Sequence, residues 1–226
     1  MSWFTKETFA FLRDLAKNND REWFQENRPR YEQWVLAPSV RFIMDFGRRL
    51  QWISPQFRAD PRLVGGSLFR IYRDTRFAKD KSPYKTHIGI QFRHEKGTDA
   101  YTPGFYLHIE PGNVFAGLGV WHPGAPALHA IRQAMVAHPE RWSAAVGDAR
   151  FAKRLELAGD TLSRPPRGFD PEHPLIDDLR RKDFIAVAKL TQRAATSKDL
   201  IQKYAEICRA GAPMMRFLCG ALRLEF

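Results

Sequence analysis

Residues 104–121 read Gly104-Phe-Tyr-Leu-His-Ile-Glu-Pro-Gly-Asn-Val-Phe-Ala-Gly-Leu-Gly-Val-Trp121. This stretch indicates the fold class of the chain. Apolar residues alternate with other residues on both sides of Pro111-Gly112, and this period of two is typical of strands with one buried face. A Pro-Gly pair between two such runs is a strong turn signal. The stretch therefore predicts an antiparallel hairpin of two strands, Gly104–Glu110 and Asn113–Trp121.

Outward from the hairpin, two more segments read as strands, Val64–Asp74 and Thr86–His94. Short links between consecutive strands favour an antiparallel meander over a parallel sheet. On either side, apolar residues recur at helical spacing. We therefore predict an α+β fold with a central antiparallel β-meander in residues 61–123. Helices are expected in the N-terminal part, residues 1–60, and in the C-terminal part, residues 124–226.

Helix boundaries follow from proline and glycine. Pro38 is placed to begin a helix, since proline suits a first helical turn. In the C-terminal part, Ala149–Leu157 is predicted to be helical, and a final pair is predicted at Ser197–Ala210 and Pro213–Leu222. The segment Ile176–Ala188 fits neither the helical nor the strand period.

Composition excludes several classes of protein. The chain has 226 residues, 44% of them hydrophobic and 13% aromatic, which excludes a mostly disordered chain. No apolar run of membrane-spanning length is present, and the first residues lack the order of a secretory signal. Two cysteines, Cys208 and Cys219, cannot build a disulfide framework. We expect one integrated domain over residues 1–226, in the cytoplasm.

Charge is concentrated in one part of the chain. The formal net charge is +11, and residues 61–96 carry nine basic and three acidic side chains. Such a local field raises the concentration of anions nearby. The expected partner is therefore an anionic small molecule, and nucleic acid is an alternative. A membrane is not expected, and the sequence predicts no oligomeric state.

Strand alternation sorts the predicted sheet into an aliphatic face and a polar face. The polar face is rich in residue types that hold ligands by stacking and hydrogen bonds. Gly89, Gly117 and Gly119 leave room on this face for a ligand to approach the backbone. The pattern predicts a groove lined by Arg70, Tyr72, Asp74, His87, Gln91, Tyr106, His108 and Trp121.

The first predicted strand runs into a loop that is dense in cations. Arginine can hold phosphate or carboxylate with two parallel hydrogen bonds, and lysine adds a mobile charge. The ligand-binding residues predicted in this segment are Arg70, Tyr72, Arg73, Asp74, Arg76, Lys79, Lys81, Tyr84 and Lys85. An alternative is that the arginines and aspartates form a structural network that ties the loop to the fold.

The same segment, Arg70-Ile-Tyr-Arg-Asp-Thr-Arg-Phe-Ala-Lys-Asp-Lys-Ser-Pro-Tyr-Lys85, resembles the hallmark motif of a widespread bacterial and fungal family of uncharacterised proteins, domain of unknown function 2461. Similar stretches are Asn18-Asn-Asp-Arg-Glu-Trp-Phe24, Gly117-Leu-Gly-Val-Trp-His-Pro123 and Pro166-Arg-Gly-Phe169. Ala78 stands where the family more often has serine, so no hydroxyl role is expected there. The resemblance implies one integrated domain and carries no mechanism.

His87 and His108 are the predicted catalytic residues, because imidazole titrates near neutrality and suits acid–base chemistry. Together with Asp74 or Glu110 they could also bind a divalent metal, but only strand register would bring them together, and no short-range ligand spacing supports this. No metal or cofactor is therefore assigned. The chain also lacks a serine-nucleophile elbow and phosphate-binding glycine loops.

These observations favour a protein that binds a phosphate- or carboxylate-bearing ligand in a basic, aromatic-lined groove on the sheet. Acid–base catalysis is an additional hypothesis, so the sequence leaves open whether the protein is an enzyme. Two alternatives remain: a non-specific nucleic-acid backbone binding module, and a structural or partner-binding domain.

Overall fold

A computed structural model describes residues 2–97 and 102–226 of the chain. Helices form most of its N-terminal part, as predicted. They are α1 (Lys6–Lys17), α2 (Arg21–Glu26), α3 (Arg28–Tyr31) and α4 (Ala37–Ile53), with a π-helical turn at Glu32–Leu36 between α3 and α4.

Within the described residues, the sheet has five antiparallel strands in the order β1-β2-β3-β5-β4. These are β1 (Ile88–Arg93), β2 (Gly104–Glu110), β3 (Asn113–Val120), β4 (Glu156–Ala158) and β5 (Phe184–Leu190). The predicted hairpin is confirmed, since Glu110 pairs with Asn113 across Pro111-Gly112. Gly112 has a φ of 80°, a conformation that glycine adopts without strain. The α+β class is therefore confirmed.

The C-terminal part supplies helices and also the two strands β4 and β5. Its helices are α5 (Ala125–Ala137), α6 (Pro139–Gly147), α7 (Ala149–Arg154), α8 (Ile176–Leu179), α9 (Gln192–Ala195) and α10 (Leu200–Ala221). The prediction of C-terminal helices thus did not include these two strands, and β5 begins within Ile176–Ala188, the segment that the sequence left unassigned. The predicted helix Ala149–Leu157 ends early because its last residues pair with β5, and tertiary pairing overrides local helical spacing.

The predicted strand Val64–Asp74 is wrong. This segment pairs with β1 at one isolated bridge, between Leu68 and Ile90. Farther along, Tyr72 pairs with Tyr84, which lies in the following loop and not in the sheet. Two backbone hydrogen bonds, from Arg73 to Pro83 and from Lys85 to Ile71, close that local pairing. The segment therefore leaves the sheet, and strand alternation does not decide where its side chains point.

Two prolines lie inside continuous helical stretches, where the sequence predicted helix starts. Pro38 follows the π-helical turn, and the backbone at Leu36 and Ala37 stays helical. Wide turns of this kind accommodate a local break in the hydrogen-bond ladder. Pro213 lies within α10, which also includes Gly211. A Cβ at Gly211 would lie 2.1 Å from a methyl carbon of Leu118, so this glycine permits close packing of α10 on β3.

The aliphatic face of the sheet is buried, as predicted. Ile90, Phe92, Leu107 and Val120 are fully buried there. Residues of α4 and α10 belong to the same apolar core, and Phe46 of α4 lies 4.8 Å from Phe92, measured between ring centroids. Because helices cover this face, a ligand could reach the sheet only from its other side. Within the described residues, no helix combines the length and the apolar character needed to cross a bilayer.

Candidate functional site

The uncovered side of the sheet holds a cavity of about 520 Å³, here called the sheet cavity. Its volume is within the range of small-molecule sites. The lining residues are Phe69, Lys85, His87, Gln91, Gly104, Tyr106, Phe115, Gly117, Leu118, Gly119, Trp121, Ile185 and Val187.

Strand register explains the depth of the sheet cavity. Tyr106 in β2 lies between Gln91 of β1 and Gly117 of β3. Gly89 lies beside it, and a Cβ there would be only 2.8 Å from the Tyr106 hydroxyl oxygen. Glycines next to large side chains thus give the aromatic ring of Tyr106 room to lie across the sheet and leave space above their own backbone.

The walls of the sheet cavity are mainly apolar. Phe69 and Phe115 both contact Tyr106, each with its ring centroid 5.9 Å from that of Tyr106. Val187 belongs to the lining, and Trp121 does so while remaining half exposed. Aromatic side chains thus line the cavity as expected, whereas basic side chains are a minority of the lining of this aromatic and aliphatic chamber. Such a surface favours an apolar ligand body.

A second, more polar depression of about 550 Å³ adjoins this chamber and is here called the loop depression. Its lining residues are Ala16, Asn19, Arg73, Asp74, Asp80, Ser82, Tyr84, Lys85, Thr86 and His87. Lys85 and His87 line both spaces, so they mark the junction between apolar and charged surroundings. An amphipathic molecule would fit such a junction.

A chain of polar contacts runs through His108 behind this junction. The His108 Nδ1 atom lies 3.1 Å from the Tyr106 hydroxyl, and its Nε2 atom lies 3.2 Å from Glu110 Oε2. Thr86 donates a hydrogen bond of 3.1 Å to the other Glu110 oxygen. The His87 and His108 rings are 4.5 Å apart between centroids. Three residues of β2 and the two residues just before β1 thus form one compact group of polar side chains.

The surroundings shift the pKa values of this group. Burial lowers the pKa of His87 to about 4, with help from the neighbouring His108. Burial also lowers the pKa of His108, against the opposing effect of Glu110. Burial alone would raise the pKa of Glu110, but hydrogen bonds from His108, Asn113 and Thr86 hold it below its usual value. Both imidazoles are therefore neutral and the carboxyl is ionised at pH 7.

Several predicted site residues line the sheet cavity: Lys85, His87, Gln91, Tyr106 and Trp121. The predicted catalytic residue His108 lies behind the lining, with both ring nitrogens in contact with Tyr106 and Glu110. Their roles in binding or catalysis stay predictions.

The other predicted ligand-binding residues lie outside the sheet cavity. Arg73, Asp74 and Tyr84 line the loop depression. Arg70, Tyr72, Arg76, Lys79 and Lys81 are exposed and belong to neither lining. The reason is that the predicted strand Val64–Asp74 does not form, so strand alternation does not set the direction of its side chains. Phe69 therefore lies in the cavity position that the alternation had assigned to Arg70.

Most cations of this loop have partners within the loop. Arg76 pairs with Asp74 at 2.7 Å, and Arg73 pairs with Asp80. The Lys81 ammonium donates to the carbonyl oxygen of Thr75 at 2.9 Å. This pairing agrees with the structural alternative for the loop, although exposed ion pairs of this kind add little stability.

Sequence reasoning missed the apolar lining. Phe115 shares a strand face with Gly117 by alternation, but the prediction considered mainly the polar members of that face. Ile185 and Val187 went unnoticed because both faces of β5 are apolar, which hides the strand period. Thr86 and Asn113 gave no signal, since only the pairing of β1, β2 and β3 brings them to Glu110.

Both cysteines are core residues. Cys208 and Cys219 lie in α10 and are buried free thiols. Burial raises the pKa of Cys219 to about 12 and that of Cys208 well above its usual value. Buried thiols of this kind are inert.

Motifs far apart in the sequence meet beside the loop depression. The Asn19 side chain donates to the carbonyl oxygen of Tyr84 at 2.9 Å and accepts from its backbone nitrogen at 3.0 Å. The Tyr84 ring stacks on Phe24 with centroids 4.1 Å apart. The fold and the site thus define a class: an α+β protein in which an N-terminal helical part anchors a charged loop at the mouth of a cavity on an antiparallel sheet.

The chain belongs to the conserved hypothetical protein family DUF2461, whose family model matches residues 7–217. The family description indicates no specific function. No curated protein and no solved structure matches the chain.

Proposed function

We propose that the sheet cavity binds an amphipathic small molecule whose apolar or aromatic body fills the chamber and whose phosphate or carboxylate group lies at the junction. The observation that carries this proposal is the position of Lys85 and His87, which belong both to the apolar chamber and to the charged depression. The proposal keeps the anionic ligand expected from the charge of the chain and adds an apolar body.

Lys85 is the group that would hold the anion. Its ammonium nitrogen donates to the carbonyl oxygens of Arg70 at 2.6 Å and Tyr72 at 2.7 Å. An ammonium group has three protons, so these two bonds fix its position and leave one donor for a ligand. Burial, with the neighbouring Arg70 and Arg73, lowers the pKa of Lys85. A ligand anion would offset this effect, because a nearby negative charge stabilises the charged form of Lys85.

The loop pairing supports this role over the nucleic-acid alternative. An extended nucleic-acid site needs several cations free to neutralise phosphates, whereas Arg73, Arg76 and Lys81 are engaged within the loop. A purely structural role would account for those pairs but would not explain the apolar chamber.

We also propose a reducing, cytoplasmic location, since both cysteines are free thiols.

The predicted acid–base role is proposed for His87 alone. His87 reaches the cavity, and its lowered pKa leaves it neutral at pH 7, so it could accept a proton from a ligand. His108 would position His87 and the ligand but would not transfer protons, because its two ring nitrogens already contact Tyr106 and Glu110.

We expect 1-naphthyl phosphate to bind more tightly than either 1-naphthol or inorganic phosphate, because it alone offers both an aromatic body and an anion. Isothermal titration calorimetry with the three probes would measure this. In Lys85→Met the affinity for 1-naphthyl phosphate should fall about tenfold or more, the cost of one charge-assisted hydrogen bond. The matched control is Lys81→Met, which removes the same charge from the same loop outside the cavity and should leave the affinity nearly unchanged.

We expect Gly117→Leu to block the chamber. A Cβ at Gly117 meets no atom closer than 3.8 Å, so the backbone tolerates a side chain, and the added atoms would extend into the cavity. Binding of 1-naphthyl phosphate and of 1-naphthol should both weaken by at least about tenfold, while the thermal midpoint stays close to that of the wild type. Unchanged binding in this variant would contradict a ligand in the sheet cavity.

A further inference from the structure

We propose that His87, His108 and Glu110 form a binding site for one divalent transition-metal ion, such as Zn²⁺, at the junction of the sheet cavity and the loop depression. Each of the three side chains offers one ligand atom, and these atoms all lie within 4.8 Å of one another. Two imidazoles and one carboxylate are a donor set that binds such ions and leaves positions open for water or a substrate.

The spacing of the ligand atoms suits one metal ion. Ligand atoms bound at 2.0–2.2 Å in a tetrahedral site are roughly 3.3 Å apart. His108 Nε2 and Glu110 Oε2 already lie 3.2 Å apart, and a shared ion would replace the direct contact between them. The ligand atom of His87 lies within 4.8 Å of those of His108 and Glu110, so a change in its side-chain torsions would bring it into the same sphere.

The surrounding hydrogen bonds orient the ligands as second-shell groups do in metal sites. The Tyr106 hydroxyl contacts His108 Nδ1 at 3.1 Å, which leaves Nε2 to face the proposed ion. Thr86 and Asn113 donate to the two oxygens of Glu110 at 3.1 and 3.3 Å. Contacts of this kind fix the orientation and the tautomer of metal ligands, and their loss commonly weakens metal binding by about 10- to 100-fold.

The site is reachable from two directions, and the neighbouring Lys85 ammonium group is engaged by backbone carbonyl oxygens. His87 lines both spaces, and the Glu110 side chain is 30% exposed, so an ion can enter from the cavity or from the surface. The Lys85 ammonium group is bound by the carbonyl oxygens of Arg70 and Tyr72. The open positions of the ion would face the end of the chamber where the ligand anion is proposed to lie.

This inference gives His87 a second role that excludes the first. An imidazole nitrogen bound to a metal ion cannot accept a proton, so His87 is either the acid–base group or a metal ligand in a given state. Metal binding needs no organic ligand, and the inference therefore goes beyond the proposed function. The Gly117→Leu variant separates the two, since it should lose 1-naphthyl phosphate and retain the metal ion.

The test uses the full chain, stripped of metal with a chelator and then titrated with Zn²⁺ by calorimetry and with Co²⁺ by visible absorption. We expect one ion per chain and Co²⁺ ligand-field bands typical of a four- or five-coordinate site. Glu110→Gln and His87→Ala should each weaken Zn²⁺ binding by roughly a hundredfold or more, and Tyr106→Phe by about tenfold. The control is His129→Ala, which removes an exposed histidine outside the site and should bind Zn²⁺ as the wild type does.

Two outcomes would overturn the metal site: a wild-type protein that takes up less than one ion per chain, or Glu110→Gln and His87→Ala variants that bind Zn²⁺ as tightly as the wild type. Circular dichroism first establishes that each variant is folded. Both residues are partly exposed, so these substitutions do not depend on the more buried His108. Loss of metal binding in these variants with retention in His129→Ala would support the site.

Discussion

Replacing Gly119 with alanine is expected to cost at least about 3 kcal/mol in the free energy of unfolding. Gly119 has a φ of 124°, where residues with a side chain are strained. A Cβ there would also lie 2.1 Å from the carbonyl oxygen of Phe184 on the paired strand β5, so backbone atoms would have to move. Urea denaturation followed by circular dichroism would measure the loss.

Gly117→Ala is the matched control on the same strand. Gly117 lacks a positive φ, and a Cβ there would make only ordinary contacts of 3.8 Å and beyond. We expect its free energy of unfolding to stay within about 1 kcal/mol of the wild type. Equal free energies of unfolding for the two alanine variants would show that the positive φ of Gly119 is not required for β3 to pair with β5.

Asp183→Ala is expected to lower the free energy of unfolding by about 2–4 kcal/mol, because it leaves two backbone N–H groups without their acceptor. The Asp183 side chain is nearly fully buried and accepts hydrogen bonds from the backbone nitrogens of His122 at 2.7 Å and Asp160 at 3.0 Å. Its Oδ1 atom also lies 2.9 Å from His122 Nδ1. This one carboxylate therefore ties the end of β3 and the chain after β4 to the start of β5.

The control for this prediction is Asp177→Ala, which removes an aspartate whose side chain is 92% exposed and 3.5 Å from Arg180. Exposed pairs contribute little, and we expect a change within about 0.5 kcal/mol. Asp183→Asn, which keeps one acceptor oxygen, should fall between the wild type and Asp183→Ala. A thermal or urea midpoint for Asp183→Ala as high as that for Asp177→Ala would contradict the proposed role of the buried carboxylate.

Asp183 also has a consequence for the cavity. His122 stacks on Trp121, with ring centroids 4.1 Å apart, and Trp121 forms part of the chamber wall. A buried carboxylate just before β5 thus helps to place a wall residue just after β3. The sequence indicated no such link, because His122 and Asp183 are 61 residues apart and no local pattern relates one to the other.

Local patterns predicted those parts of the site that lie within β1, β2 and β3 or directly next to the ends of these strands. His87, Gln91, Tyr106 and Trp121 all line the sheet cavity because alternation holds along regular strands. The same rule failed for Arg70, since Val64–Asp74 pairs with β1 at one bridge only and then leaves the sheet. Alternation predicts side-chain direction only where the ladder of hydrogen bonds continues.

The α+β class, the hairpin at Pro111-Gly112, the aliphatic face of the sheet and the family could all be predicted from the sequence, because each depends on neighbours along the chain or on one continuous motif. Three features became evident only in three dimensions: the apolar lining of the chamber, the pairing of the loop cations with carboxylate and carbonyl groups of the same loop, and the meeting of His87, His108 and Glu110. The physical reason is register: contacts between strands and between loops depend on which residues pair across space, and that information does not repeat at any period in the sequence.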